Sequence, residues 1–155
     1  MEFRFAKKQD TPLILFFIRQ LAEYEQLLDQ VVADEATLEE WIFEKKKAEV
    51  IFVLEEGKEV GFALFFHNFS TFLGRAGLYL EDLFVLPEYR GQGIGKALYR
   101  MLEDLVNGNC EYITLSTSTK NYQSIFKLYI EELGMCFHSA FLFKETEKKE
   151  ETLCE

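Results

Sequence analysis

The sequence contains few of the residues on which disulfide frameworks and metal centres depend. Its 155 residues include three cysteines and two histidines, and the cysteines share no C-x-x-C spacing. Neither a disulfide framework nor a thiolate metal site is therefore predicted, and a reducing compartment fits best. No H-E-x-x-H pattern occurs either, so a transition-metal centre would lack ligands, and we predict no metal.

Long apolar stretches are also missing. The longest run, residues 13–18, is too short to cross a bilayer. The first residues lack the apolar run of a signal peptide. We therefore expect a soluble, cytoplasmic protein with no membrane partner.

Basic residues are outnumbered by acidic ones. Seventeen lysines and arginines stand against 27 aspartates and glutamates, which leaves a net charge of −10. Nucleic-acid binders usually carry the opposite balance, so no nucleic-acid partner is predicted. The acidic surplus would attract a small cationic substrate, although it is also explained by solubility alone.

Apolar and aromatic residues are abundant: 48% of the residues are hydrophobic, and 16 are phenylalanines. This composition excludes a disordered or collagen-like chain. The length fits one domain. We predict a single domain over residues 1–143 and a charged, flexible tail over residues 144–155.

Hydrophobic periodicity predicts the element order βααβββαβαβ. The first strands are joined by hairpins and the later ones by helical crossovers, so the fold class is mixed α/β with antiparallel N-terminal and parallel C-terminal strands flanked by helices. The predicted elements are strand 2–5, helix 11–28, a helix that Asp34 caps and that ends in the lysine run 45–47, strands 50–54 and 60–66, loop 68–77, strand 78–86, helix 93–106, strand 112–115, helix 122–133 and strand 135–143.

A glycine-rich loop, Arg90-Gly91-Gln92-Gly93-Ile94-Gly95, lies between a predicted strand and a predicted helix. Free backbone N–H groups and the helix dipole attract phosphate at such a place. A Walker loop would need glycine at Arg90 and Ser or Thr at Ala97, and a dinucleotide fingerprint would need G-x-G-x-x-G. Neither is present, so R-x-x-G-x-G remains, with an ordinary glycine-rich turn as the alternative.

This pattern resembles the coenzyme A signature of the GNAT superfamily of N-acetyltransferases. Residues 21–26, 61–63, 79–82 and 89–91 further resemble the diamine acetyltransferase branch, whose best-known members act on spermidine and spermine. The resemblance covers about residues 3–133. It implies the GNAT fold, direct transfer of an acetyl group from acetyl-CoA to a small primary amine, and a homodimer. The amine would be a diamine, a polyamine or an amino-acid-like amine.

The resemblance also implies where the coenzyme binds. The pyrophosphate would lie on the backbone of residues 91–96, and pantetheine would pair with the strand at residues 83–85. The implied coenzyme-binding residues are Leu83, Phe84, Val85, Arg90, Gly91, Gln92, Gly93, Ile94, Gly95, Lys96, Asn121 and Ser124.

Two acids, Glu81 and Asp82, interrupt an apolar strand. Burying them would be costly without water or partners, and strand alternation places them on opposite faces unless a bulge intervenes. An alkylammonium has a pKa of about 10.4, so it must lose a proton before it attacks a thioester. By resemblance, Glu81 takes that proton through water, while Tyr24 and Glu25 line the amine site. An acid pair at a solvated strand end is the alternative.

The departing thiolate needs an acid, and the tetrahedral oxyanion needs a strand N–H near Phe84. Family members supply the acid from a tyrosine on the helix after the position of Asn121. Counting from Asn121 that position falls on Leu128, and counting back from the predicted cap at Gly134 it falls on Ile130. We predict that two extra residues bulge the helix and that Tyr129 is the acid, with core packing as its alternative role.

Three departures from the family pattern leave the identity of the amine open. Residues 68–72 lack the aspartate of the polyamine enzymes, His138 replaces an acid, and Lys120 replaces a tryptophan. The altered helix also motivates a rival from another class, an acyl-CoA-binding protein or sensor with little or no turnover. An unrelated phosphate-binding module is a third reading.

Overall fold

Five strands form one sheet in the described part of the computed structural model, which covers residues 1–109, 112–116 and 126–135. Of residues 107–109 and 126 it describes the backbone only. The chain divides into two compact units, Met1–Thr117 and Ser118–Glu155, which we describe separately. In the first unit the elements are β1 (Glu2–Phe5), α1 (Thr11–Tyr24), α2 (Glu35–Leu38), β2 (Glu49–Glu55), β3 (Lys58–Ser70), β4 (Arg75–Val85), α3 (Ile94–Asn109) and β5 (Ile113–Leu115).

The sheet has the order β1-β2-β3-β4-β5. The first four strands pair antiparallel, and β5 pairs parallel to β4. Helix α3 makes the crossover between β4 and β5, which parallel pairing requires. The predicted mixed sheet, antiparallel first and parallel afterwards, is therefore confirmed.

Helix α1 covers one face of the sheet. Its buried residues Ile14 and Phe17 meet the sheet residues Phe52, Phe62 and Phe84 in one core cluster. The Phe17 ring stacks on Phe62 with 5.3 Å between centroids. Each fully buried side chain of this size contributes about 1.5–3 kcal/mol of transfer free energy, so this cluster anchors α1 firmly.

The end of α1 differs from the prediction. The apolar stripe was expected to continue to Leu28, but the helix ends at Tyr24. Gln26 adopts a positive φ of 61°, and its N–H donates to the Glu23 carbonyl. This left-handed residue stops the helix where glycine would be usual, so Glu25 lies at a sharp change of chain direction.

The second helix begins as predicted. The Thr37 N–H donates to the Asp34 carboxylate at 2.8 Å, which caps α2. Beyond Leu38 the helix widens into a π-helical turn, Glu39–Glu44.

The predicted loose loop over residues 68–77 is wrong, because β3 and β4 continue through most of it. Phe69 pairs with Ala76, and a tight turn closes between Ser70 and Gly74, whose φ is 66°. Gly77 signalled a loop in the sequence, yet it lies inside β4. A Cβ atom at Gly77 would overlap the Tyr112 ring, so close packing is the reason for this glycine.

The opposite face of the sheet is covered by α3, which packs on β3 and β4. Leu98 and Leu102 are fully buried there. The helix runs through Asn109, beyond the predicted end at residue 106. No helix among the described residues is long and apolar enough to cross a membrane.

The second unit is described over residues 126–135. Phe126–Glu132 is π-helical, and the Leu133 N–H donates to the Leu128 carbonyl five residues earlier at 3.1 Å. Gly134, with φ 70°, follows the helix, and the Met135 N–H donates to the Tyr129 carbonyl. A π-helical turn takes up extra residues, which is the kind of widening predicted here. Most of the predicted last strand and the whole predicted tail lie outside the described residues.

Candidate active site

A β-bulge lies at Glu81. In the β3–β4 ladder Phe65 pairs with Leu80 and Leu64 pairs with Asp82, so Glu81 has no partner of its own on β3. An extra residue of this kind bends the strand and interrupts its alternation. Strand alternation predicts the two acids on opposite faces unless a bulge intervenes, and the structure contains that bulge.

The bulge inserts both acids between two residues of the same face. Leu83 pairs with Ala63, two residues from the partner of Leu80, so Leu80 and Leu83 share one face. In a regular strand these two residues, three apart, would lie on opposite faces. Glu81 and Asp82 occupy the space between them, and strict alternation no longer separates the two carboxyl groups.

Asp82 lies on the face covered by α1, two residues before the core residue Phe84. It is half-buried, whereas Glu81 is exposed. Burial raises the pKa of the Asp82 carboxyl to about 7, and the negative charges of Glu81 and Glu25 contribute to the rise. The charges of two carboxylates, Glu81 and Glu25, therefore act on the carboxyl group of Asp82 at this place.

Sequence reasoning did not select Asp82 as a site residue. Its neighbour Glu81 was selected by resemblance, and the only signal for Asp82 was that a second acid interrupts the same apolar strand. A carboxyl that titrates near neutral pH beside a surface is a candidate for proton transfer.

The end of α1 brings two predicted amine-site residues to the same face. The Tyr24 ring lies 6.3 Å from the Phe84 ring, centroid to centroid, and remains 47% exposed. Glu25 follows at the end of the helix, and its charge acts on Asp82. The structure thus brings Glu25 and Glu81 near a carboxyl that was not predicted, and it places Tyr24 against Phe84, two residues farther along β4.

Arg90 joins this group from the glycine-rich loop. Its Nε donates to the Val85 carbonyl at 2.8 Å. Its guanidinium carbon lies 4.3 Å from the Tyr24 ring centroid and 5.0 Å from that of Phe84. The first residue of the R-x-x-G-x-G pattern is therefore in contact with α1 as well as with β4.

The edge of β4 is open beside the acids. Strand β5 pairs with residues 78–80 only, and no strand of the described chain pairs with residues 83–85 on that side. The Leu86 N–H donates to the Val60 carbonyl, so alternation directs the N–H of Phe84 toward β3 as well. The N–H groups of Leu83 and Val85 then point to the open edge.

The glycine loop lies against this edge. Gly91 and Gly93 have φ values of 77° and 80°, and no atom of the described residues would contact a Cβ atom at either position. Helix α3 begins at Ile94, so its first N–H groups have no partner within the helix. A Cβ atom added at Gly95 would lie 3.7 Å from Leu83 Cδ2. The start of the helix is therefore close to the open edge.

The remaining predicted residues are distributed between the two units. Gln92 is exposed and Lys96 is half-buried on the loop and the first turn of α3. Tyr129 lies in the π-helical turn of the second unit, where it is half-buried. Asn121 and Ser124 lie outside the described residues. Among residues 1–109, 112–116 and 126–135 no group of three or more His, Cys, Asp or Glu side chains could hold a metal ion.

Comparison with known proteins gives matches over most of the chain. The family model described as "Acetyltransferase (GNAT) family" matches residues 15–135. The thialysine N-epsilon-acetyltransferase of Bos taurus is 37% identical over 132 residues, which cover 79% of this chain and 77% of that protein. The human spermidine/spermine N(1)-acetyltransferase-like protein 1 is 30% identical over 112 residues, or 67% of this chain and 16% of that protein.

A solved structure resembles the fold. The ribosomal-protein-alanine N-acetyltransferase of Brucella melitensis biovar Abortus 2308 superposes with a TM-score of 0.74 at 18% identity. The superposition covers 94% of this chain and 100% of that one. At this identity the likeness concerns the fold alone.

Proposed function

Because the chain belongs to the GNAT family of acetyltransferases, we propose that it transfers an acetyl group from acetyl-CoA directly to a small primary amine held among the acids at the β4 bulge. The chain is an N-acetyltransferase, and enzymes of this family use acetyl-CoA. The observation that carries the proposal is the adjacency on β4 of the acid pair at residues 81–82 and the open edge that begins at Leu83.

The open edge and the loop fit the coenzyme. An amide-containing arm can accept a hydrogen bond from the N–H group of Val85, as an added strand would. The N–H groups at the start of α3 suit a pyrophosphate, and the glycines allow its close approach. When bound, acetyl-CoA supplies the thioester that is cleaved. We assign residues 83–85 and 90–96 to this site, together with Asn121 and Ser124 by resemblance.

The hydrogen-bond pattern between β3 and β4 indicates which backbone N–H group could stabilise the oxyanion. The sequence indicated a strand N–H near Phe84, but that of Phe84 itself is directed into the sheet. Leu83 lies next to the acids and directs its N–H to the open edge, so Leu83 is the better donor to the developing negative charge.

The amine class follows from charge. Three interacting carboxyl groups on a chain of net charge −10 favour a cation over a neutral or anionic acceptor. The names of the relatives give an Nε amine in one case and spermidine or spermine in the other. We therefore propose a primary ammonium on a short aliphatic chain, as in a diamine, a polyamine or the side chain of a basic amino acid.

Proton transfer is assigned to Glu81 and Tyr129. Glu81 is exposed at the bulge, so it can reach the ammonium directly or through one water and accept its proton. Attack by the free amine expels the coenzyme thiolate. By resemblance, the Tyr129 hydroxyl donates a proton to this thiolate, and the proton that the attacking nitrogen loses as the amide forms returns to Tyr129. No cysteine takes part, because the acetyl group passes to nitrogen in one ternary complex. The homodimer and the cytoplasmic location remain expectations from the resemblance and the sequence.

A panel of amines tests this function. Release of free thiol from acetyl-CoA is measured with a linear diamine, a polyamine, lysine, ornithine and an uncharged hydroxyl compound of equal length. We expect release with one or more of the cationic amines and only background with the hydroxyl compound. Calorimetric binding of acetyl-CoA without amine-dependent release would support the acyl-CoA-binding rival instead.

A further inference from the structure

Arg90 forms a three-membered contact group with two aromatic rings. Its guanidinium carbon lies 4.3 Å from the centroid of Tyr24 and 5.0 Å from that of Phe84, and the two rings are 6.3 Å apart. Tyr24 comes from the end of α1, while Phe84 belongs to β4. One cation therefore bridges a helix end and a strand.

The same guanidinium is hydrogen-bonded to the strand that carries the open edge. Its Nε donates to the Val85 carbonyl at 2.8 Å. A guanidinium can do both at once because it is planar and has several donors, whereas the ammonium of lysine is a point charge without a stacking face. The contact group thus requires arginine rather than any basic residue.

Tyr24 lies at the end of its helix, where a contact with another element can orient its ring. Tyr24 is the last residue of α1, and Gln26, two residues farther on, has a positive φ. The helix therefore supports Tyr24 from one side only. Its ring is 47% exposed. Attraction between the cation and the ring face is a specific interaction that orients such a side chain.

We infer that Arg90 is a positioning residue of the amine site, which holds Tyr24 against β4 by stacking on its ring while bonding to the Val85 carbonyl. This inference rests on the proposed function. This role adds to the contact with the coenzyme that the resemblance implies for Arg90, so the amine KM is the readout that distinguishes the two roles. It also means that one face of Tyr24 is occupied, so the substrate meets the hydroxyl or the free face.

The test compares Arg90→Gln, Arg90→Lys and Tyr24→Leu with the double variant Arg90→Gln/Tyr24→Leu. Arg100→Gln is the matched control, because Arg100 is an exposed arginine on α3 that pairs with Glu103. The KM for the amine and kcat are measured by thiol release, and the Kd for coenzyme A by calorimetry. Should Arg90→Gln fail to fold, Arg90→Met removes the charge and keeps an aliphatic stem against the rings.

We expect Arg90→Gln to raise the amine KM, measured at saturating acetyl-CoA, at least fivefold, whatever the change in the coenzyme Kd. Arg90→Lys should not restore the wild-type value, and the double variant should be no worse than Tyr24→Leu alone. A rise in the coenzyme Kd with an unchanged amine KM would overturn the inference in favour of a phosphate ligand. Additive effects of the two substitutions would overturn it as well.

A second readout separates this inference from the proposed function. The wild type, Arg90→Gln, Tyr24→Leu and the double variant are unfolded in urea, and this double-mutant cycle gives the coupling between Arg90 and Tyr24 without any turnover. If the wild type acetylates no amine, the proposed function fails. The double-mutant cycle then still shows whether Arg90 and Tyr24 stabilise each other. Coupling supports the positioning contact, and strictly additive stabilities contradict it.

Discussion

Glu81 and Asp82 are neighbours on β4, yet only Asp82 has a partner on β3. The unpaired position of Glu81 leaves its side chain exposed, while Asp82 is half-buried against the face that carries α1. Two adjacent carboxyl groups therefore meet different surroundings in one site. This difference favours separate roles, with Glu81 as the proton acceptor and Asp82 as the group whose charge varies near neutral pH.

The role of Glu81 is tested by Glu81→Gln. We expect kcat to fall roughly a hundredfold or more, which is the usual contribution of a general base, while the coenzyme Kd changes little. Steady-state thiol release and calorimetry measure the two quantities. Glu103→Gln on α3 is the control for loss of one negative charge. Weakened coenzyme binding in Glu81→Gln would assign a structural role, and an undiminished rate would assign the proton to another group.

The raised pKa of Asp82 predicts how stability depends on pH. A carboxyl whose pKa is about 7 when folded and about 3.9 when unfolded binds its proton more tightly in the folded state. Its burial therefore costs least below pH 4, and the cost grows as the pH rises to 7. Asp82→Asn should remove this cost, so the variant gains stability over the wild type at pH 8 and gains little at pH 4.

The expected gain at pH 8 is on the order of a few kcal/mol, because one pKa unit corresponds to about 1.4 kcal/mol. Urea unfolding at pH 4, 6 and 8 measures it. In the amine kcat/KM the wild type should show an inflection near pH 7 that Asp82→Asn lacks. Parallel stability profiles of the two proteins would contradict the assignment of this titration to Asp82.

Gly93→Val tests the loop. Valine rarely adopts the φ of 80° found here, so the substitution strains the backbone directly before the N–H groups of α3. We expect acetyl-CoA affinity to fall at least tenfold, about 1.4 kcal/mol. Calorimetry measures the dissociation constant.

The control for this variant is Gly74→Val at the β3–β4 turn. Gly74 has φ 66° and equally open space, so valine causes similar backbone strain far along the sheet from the loop. Equal losses of coenzyme affinity in both variants would show a general effect of strain. An unchanged affinity in a folded Gly93→Val protein would remove the loop from the site.

Tyr129→Phe isolates the proposed acid. The ring and its packing remain while the hydroxyl is lost, so the substitution acts on proton donation and leaves the volume of the side chain nearly the same. We expect kcat to fall at least tenfold, with a small change in the KM for acetyl-CoA. If the variant equals the wild type with every amine that turns over, then the acid is another group or the solvent.

Much of the fold follows from local pattern. The Thr11-Pro12 helix start, the Asp34 cap, the β2–β3 hairpin and the helix after the glycine loop are encoded by residues close in sequence, and each is observed. The β3–β4 hairpin could not be predicted in the same way. Gly77 interrupts its pattern for a reason that lies in Tyr112, which is distant in sequence.

The site was predictable in part for the same reason. Glu81 and the loop are visible as motifs, but the bulge that orients the acids depends on the register of β3 against β4. The pKa of Asp82 depends on burial and on Glu25, which another element supplies. The contact between Arg90 and Tyr24 likewise joins residues 66 positions apart in the numbering of the chain, beyond the reach of any local motif.

The most direct test of acetyl transfer to an amine is the ratio of acetylated amine to free thiol formed from acetyl-CoA by the wild-type protein. The amine product is quantified by mass spectrometry and the thiol by colorimetry, with the cationic amine that gives the fastest release. We expect equal amounts of acetylated amine and free thiol, and a rate that depends on the amine concentration. In Glu81→Gln we expect a large loss of both products. Thiol release that does not depend on the amine, or no acetylated amine at all, would contradict acetyl transfer to an amine.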